Sequence, residues 1–104
     1  MTDIYRAIAD PIRRKILLMT SQREYTQSEI VHSFTISQPA IKKHLTILLE
    51  ESLLEERREG KFCYYKLNER VFQLHFKHLQ RELGIILEQK LMNLKKSLEE
   101  DDNI

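Results

Sequence analysis

Along this chain the apolar positions follow a helical period up to Leu49 and alternate strand-fashion from Leu54 to Leu67. They return to helical spacing from Phe72 onward. The period of burial follows the element, so the pattern predicts helices, then a hairpin, then one long helix. Ile4, Ile8 and Tyr5 line one side of a short first helix ending near Asp10. Asp10-Pro11 is a start signal, an N-cap followed by a proline whose missing amide costs nothing at the first helical position. The second helix carries Ile12, Ile16, Leu17 and Met19, should end near Ser21, and leads into a polar link from Gln22 to Tyr25. Thr26 and Glu29 have capping-box spacing, which opens a third helix with Ile30 and Phe34 on one face. Ser37 is the next N-cap candidate, with Pro39 tolerated in the first turn of a fourth helix.

On a wheel of about 100° per residue, Ile41, Leu45, Leu48 and Leu49 gather on one side of this fourth helix. Gln38, Pro39, Lys42, Lys43 and Thr46 occupy another arc, which is polar, basic and free of carboxylates until Glu50. A short helix, a tight turn and a second helix with such an outward arc describe a helix-turn-helix with its recognition helix.

Leu54 to Arg58 and Lys61 to Leu67 then read as two strands joined through Glu59-Gly60, where glycine can take positive φ without steric cost. Cys63, Tyr65 and Leu67 face one way, and Phe62, Tyr64 and Lys66 the other. Arg57, Arg58, Lys61 and Lys66 surround the hairpin with positive charge, as a DNA-contacting wing requires, while Glu55, Glu56 and Glu59 must point away from phosphate. Asn68 caps a long helix from about Glu69, along which Phe72, Phe76, Leu79, Leu83, Leu87, Leu91, Leu94 and Leu98 recur at steps of three or four. That stripe is roughly 40 Å long at about 1.5 Å per residue, more than a small helical core can cover. Its simplest cover is the same stripe of a second subunit. Gly84 marks a bend or a close crossing in this helix.

The expected fold is mainly α with a small β-hairpin, a winged helix-turn-helix in the order α-α-α-α-β-β-α, dimeric through its terminal helices. Residues 1–98 form the single domain, with dimerisation helices over about 1–9 and 69–98, and the acidic tail 99–104 frays.

Composition refines this picture. At 104 residues, one domain of this size buries a modest fraction of its surface, so oligomerisation stabilises it. The formal net charge is only +1, but Glu99, Glu100, Asp101 and Asp102 crowd the end of the chain. Removing these four from the 16 acidic side chains leaves 12 against 17 basic ones, an excess of +5. No run reaches the ~18 apolar residues of a membrane span, and the N-terminus is unlike a signal peptide. Cytoplasmic location without membrane insertion is expected. The single cysteine, Cys63, excludes an internal disulfide framework and suits a reducing compartment. It reads as a small inward hydrophobe, with a redox switch or intersubunit disulfide as the alternative. The Arg13-Arg14-Lys15 run reads as a solvated face with one arginine in an ion pair, or as a phosphate contact. The only glycines are Gly60 and Gly84, so there is no phosphate loop, and no metalloprotease or nucleophile motif is present. No enzymatic function is expected.

The segments IYRAIADPIRRKIL, ISQPAIKKHLTIL and RREGKFCYYKLN resemble the ArsR-type winged-helix repressors of bacteria, from about Ile4 to Asn68. The resemblance implies a homodimer joined through the first and last helices, Ile4 included, that binds imperfect inverted repeats in promoter DNA. It implies base contacts from Gln38, Pro39, Lys42 and Lys43, with Ser37 and Thr46 beside them and Arg57, Arg58 and Lys61 on phosphate. Position 42 is often serine and position 43 often histidine in the family, so lysine at both shifts weight from base reading to phosphate attraction. Ser52 stands where the family usually has glycine, and Thr35 replaces a frequent glycine or asparagine in the turn.

Many relatives release DNA on binding a metal or another signal. The arsenic-type site needs cysteines on the helix before the recognition helix, and TQSEIVHSF has none. The zinc-type site needs Asp-x-His and a later His-x-x-Glu on the last helix, which offers only His75 and His78. His32 and His44 are isolated. No metal or cofactor is expected, and the pattern is closer to the metal-independent SdpR-like subgroup, whose members repress their own operon and can be controlled by a membrane partner. The expected function is a sequence-specific DNA-binding regulator, repressing its own or a neighbouring operon, with an unidentified protein partner or inducer. The alternatives are a winged-helix module for protein assembly, or a metal- or redox-responsive repressor.

Overall fold

The computed structural model describes residues 3–101. The elements run α1 (Ile4–Ala9), α2 (Pro11–Gln22), β1 (Tyr25–Thr26), α3 (Gln27–His32), α4 (Gln38–Glu50), β2 (Leu54–Glu59), β3 (Phe62–Leu67) and α5 (Glu69–Asp101). By contact the chain divides into two units, one up to Phe72 and one from Gln73.

Local capping starts the helices of the first unit. The Asp3 carboxylate accepts from the Arg6 amide, and the Asp10 carboxylate from the amides of Ile12 and Arg13 at 2.8 and 3.2 Å. Thr26 and Glu29 form the reciprocal capping box, and the Ser37 hydroxyl accepts from Ala40. Each cap satisfies amides that the helix itself leaves orphaned. The apolar faces then close on one another: Ile16 and Leu17 of α2, Ile30 of α3, and Ile41, Leu45 and Leu48 of α4 are buried. Leu53, Leu54, Tyr65 and Leu67 seal this core from the hairpin side, and Ala7 from α1. Thr20, a buried polar side chain, donates to Ile16 and Leu17 carbonyls of its own helix.

Three details differ from the sequence expectation. The link before α3 contains a strand: Tyr25 and Thr26 pair with Tyr65 and Tyr64, giving an antiparallel sheet of order β1-β3-β2. Two residues are too few to show a period, so only the partner strand reveals β1. The hairpin turn is Gly60-Lys61 rather than Glu59-Gly60, because Glu59 pairs with Phe62. Gly60 has φ +60° while Lys61 has no positive φ, the pattern of a II′ turn with glycine first. The slip leaves the alternation intact, and Tyr65 and Leu67 face the core as expected.

The third difference explains a residue rather than an element. Ser52 sits at φ +58° just past the end of α4. Its amide bonds Leu49 O and the Leu53 amide bonds Leu48 O, both at 3.0 Å, the double closure of a Schellman motif. Only a left-handed residue completes that closure, and serine does so at a steric cost of about 1–2 kcal/mol. Ser52→Gly should therefore stabilise the protein by about 1 kcal/mol net of glycine's greater unfolded-state entropy, read as a higher denaturation midpoint at unchanged slope. Thr35, by contrast, has no positive φ, so the turn between α3 and α4 requires no glycine.

The second unit is the body of α5. Leu83, Leu87, Leu91, Leu94 and Leu98 are each more than half exposed, between 53% and 60%. Phe76 is half exposed and Leu79 half-buried. A Cβ added at Gly84 would meet nothing within 4 Å among the described residues. The helix continues through Glu99 and Glu100 to Asp101, and the remainder of the acidic tail, 102–104, lies outside the described residues.

Candidate nucleic-acid interface

The Ser37 cap and Pro39 start α4, and burial of Ile41, Leu45 and Leu48 fixes which way it is turned. Gln38, Pro39, Lys42, Lys43 and Thr46 are all exposed on the side away from that core, so one surface carries the whole arc. Among the described residues, the side chains of Gln38, Lys42 and Lys43 make no hydrogen bond or ion pair. The Thr46 hydroxyl donates to Lys42 O at 3.0 Å, which spends its proton on the helix and leaves oxygen lone pairs outward.

In the basic run on α2, Arg14 and Lys15 are exposed as a solvated face requires, but among the described residues the arginines bond backbone carbonyls and a histidine rather than form the expected ion pair. Arg13 donates to Ala7 O at 2.7 Å and Arg6 O at 2.9 Å, and its third nitrogen lies 3.0 Å from His44 Nδ1. Arg14 donates to Ile8 O and Ala9 O. Both guanidiniums therefore cap the carbonyl end of α1, and Arg13 ties that end to the middle of α4. A guanidinium can only donate, so His44 Nδ1 is the acceptor and His44 belongs to the scaffold. Lys15 lies over the Phe34 ring at 4.8 Å. Partial burial works against the Asp10 carboxylate, but the amides of Arg13 and Ile12 hold it below the usual carboxylate range.

On the hairpin, alternation puts Arg57 and Arg58 on opposite faces: Arg57 pairs with Tyr64 and Arg58 with Cys63. Arg57 grips Glu24 through Nε at 3.2 Å and a terminal nitrogen at 2.7 Å, bonds Glu59 at 2.8 Å, and stacks over Tyr64 at 4.5 Å. The bond to Glu24 leads in raising the Arg57 pKa and in lowering that of Glu24. The guanidinium is thereby committed to joining the hairpin to the α2–β1 link. Arg58 is 80% exposed, with Glu56 at 3.6 Å, and Lys61 in the turn is exposed with no partner among the described residues.

Burial and a hydrogen bond to Glu56 at 3.0 Å push the Cys63 thiol up, opposite to what a reactive thiolate needs. Cys63 is half-buried, less enclosed than its neighbours Tyr65 and Leu67. His78 pairs with Glu82 on its own helix at 2.9 Å, and among the described residues no three His, Cys, Asp or Glu side chains converge as a metal would require. No described helix is long and apolar enough to cross a membrane. Sequence reasoning missed a polar cleft beside Gln38, lined also by Gln27, Ser28, Val31 and His32. The only signal for it was a polar face on a short helix.

Comparison with known proteins identifies the family. Residues 10–56, from the cap of α2 into the hairpin, match the family described as bacterial regulatory protein, arsR family. The transcriptional repressor SdpR of Bacillus subtilis (strain 168) is 41% identical over 73 residues, covering 70% of this chain and 81% of SdpR. The arsenic resistance transcriptional regulator ArsR1 of Pseudomonas putida is 37% identical over 71 residues, 67% of this chain but 56% of that protein. An ArsR-like transcriptional regulator from Rhodococcus sp. RHA1 shares the fold, with a TM-score of 0.77 at 24% identity over 92% of this chain and 87% of that one. The chain belongs to the arsR family of bacterial regulatory proteins and is a DNA-binding transcriptional regulator built on the winged helix-turn-helix.

Proposed function

We propose that the protein is a homodimeric repressor that occupies an imperfect inverted repeat in the promoter of its own or a neighbouring operon. The observation that carries this reading is the exposed, unpartnered arc of Gln38, Lys42 and Lys43, opposite the buried Ile41, Leu45 and Leu48. Two such helices, one per subunit, enter successive major grooves roughly 34–36 Å apart. Ser37 and Pro39 set the helix start against the DNA, and Lys42, Lys43, Arg58 and Lys61 supply the salt-dependent attraction. Arg57 anchors the wing through Glu24, so its part in phosphate binding is indirect. Thr46 accepts rather than donates at the groove edge.

The dimer is supported by the exposed stripe Phe76, Leu83, Leu87, Leu91 and Leu94, with Leu79 beside it. In the first unit an apolar groove of about 360 Å³, lined by Ile8, Leu17, Leu18, Leu67 and Phe72, supports a contact there that includes Phe72 and Ile4 of α1. Repression follows from occupancy of promoter DNA in the cytoplasm, with no reaction catalysed and no metal or cofactor held.

The test is a fluorescence-anisotropy titration against the upstream promoter DNA, with scrambled DNA as control, over a range of salt. Tight binding of one dimer to an inverted repeat supports the proposal, and equal weak binding to both DNAs overturns it. Gln38→Ala should relax specificity by about 1–3 kcal/mol at one base pair per half-site, since glutamine can pair bidentately with adenine. Lys61→Ala should weaken all sequences alike and reduce the salt slope by about 0.9 per half-site. If both variants bind operator and random DNA as the wild type does, the face is misassigned.

A further inference from the structure

Beside the arc lies a cleft of about 240 Å³ between α3 and the start of α4, lined by Gln27, Ser28, Val31, His32 and Gln38. His32 Nδ1 is 2.7 Å from Ser28 O, and a carbonyl can only accept, so Nδ1 carries a proton. The Ser28 hydroxyl, 3.4 Å from the same nitrogen, cannot then donate to it, and its proton is unspent. His32 Nε2 and the amides of Gln27 and Gln38 have no partner among the described residues. Four side chains with uncommitted polar atoms thus line one cleft that contains no carboxylate.

We propose that this cleft seats one DNA backbone phosphate per subunit, with His32 as its titratable donor. The proposal rests on the DNA-binding face assigned to α4 and goes beyond it by adding α3 residues and a proton. Phosphate oxygens only accept, so the seat needs donors: Ser28 and the Gln27 amide supply them at any pH. Neutral His32 offers a lone pair at Nε2, which repels phosphate. Protonated His32 offers a charge-assisted N–H instead, so phosphate binding takes up a proton. On α3 itself Glu29 is committed to the Thr26 amide and to Arg23. From α4, Lys42 and Lys43 face the solvent with no partner among the described residues, which favours the phosphate. Lys15 lies 3.5 Å from Ser33 O, Arg23 pairs with Glu29, and Glu24 pairs with Arg57, so the neighbouring charges are engaged elsewhere. A phosphate held against Gln38 would also fix how deeply that residue reaches the bases, which gives the seat a part in register.

The test uses the full chain and its operator DNA, titrated by anisotropy at about pH 5.5 and about pH 8.5 over a range of salt. The wild type should bind more tightly at the lower pH by about thirtyfold near 0.15 M salt. Its salt slope should steepen by about 0.9 for each half-site. His32→Gln should lose most of that pH dependence, and His32→Lys should bind at the higher pH much as the wild type does at the lower. A wild type without the pH effect, or a His32→Gln variant that keeps it whole, overturns the seat while leaving the α4 face intact. A wild type that binds no DNA at either pH overturns the face and the seat together.

Discussion

Replacing Lys42 and Lys43 together with alanine should weaken operator binding by about a thousandfold near 0.15 M salt and flatten the salt slope by about 3.6. Each lysine that neutralises a phosphate releases condensed counterions, at about 0.9 in the slope for each contact. In the proposed dimer, two lysines per subunit and two subunits make four contacts. Neither lysine has a partner among the described residues, so their removal leaves nothing there buried or unpaired. The thermal midpoint should accordingly stay within a degree or so of the wild type. A variant that keeps its salt slope would show that DNA lies on another surface. One that unfolds would give the lysines a structural part that the geometry does not show.

Leu87→Glu should turn the proposed dimer into a monomer at micromolar concentration. Leu87 is 60% exposed in the single chain and lies mid-way along an apolar stripe with no cover of its own. Two-fold pairing brings the same patch from both subunits together, so one substitution buries two carboxylates. Burying unpaired charge costs several kcal/mol for each ion, comparable with the whole association energy of a modest dimer. Loss of the dimer should also cost at least about a thousandfold in operator affinity, since each monomer then holds one half-site alone. Glu88→Ala, one position off the stripe, should leave the dimer intact. Sedimentation equilibrium separates the outcomes, and a Leu87→Glu protein that stays dimeric at low micromolar concentration would remove this stripe from the interface.

The sequence by itself determined the helices, their caps and the faces they bury. Asp10, Thr26 with Glu29, and Ser37 each act on an amide two or three residues away, so the bond can be read from spacing. The period of Ile41, Leu45 and Leu48 likewise turned the basic arc of α4 outward before any partner element was known. Alternation along the hairpin named Tyr65 and Leu67 as core residues even though the turn itself slipped by one position.

What only the tertiary structure decided are the contacts between side chains that the chain keeps far apart. Arg13 meets His44 across 31 positions, and Arg57 meets Glu24 across 33. In sequence each is one more cation in a basic run, and nothing local separates an arginine held by the scaffold from one open to phosphate. β1 exists only because Tyr65 and Tyr64 lie beside it. The need for a left-handed residue at Ser52 appears only when the end of α4 is closed onto Leu48 and Leu49. Gln27 and His32 become neighbours of Gln38 through the turn that sets α3 against α4. Caps and periods act within a turn or two of backbone and are written in the sequence itself, whereas the commitment of a long charged side chain depends on what folding brings within its reach.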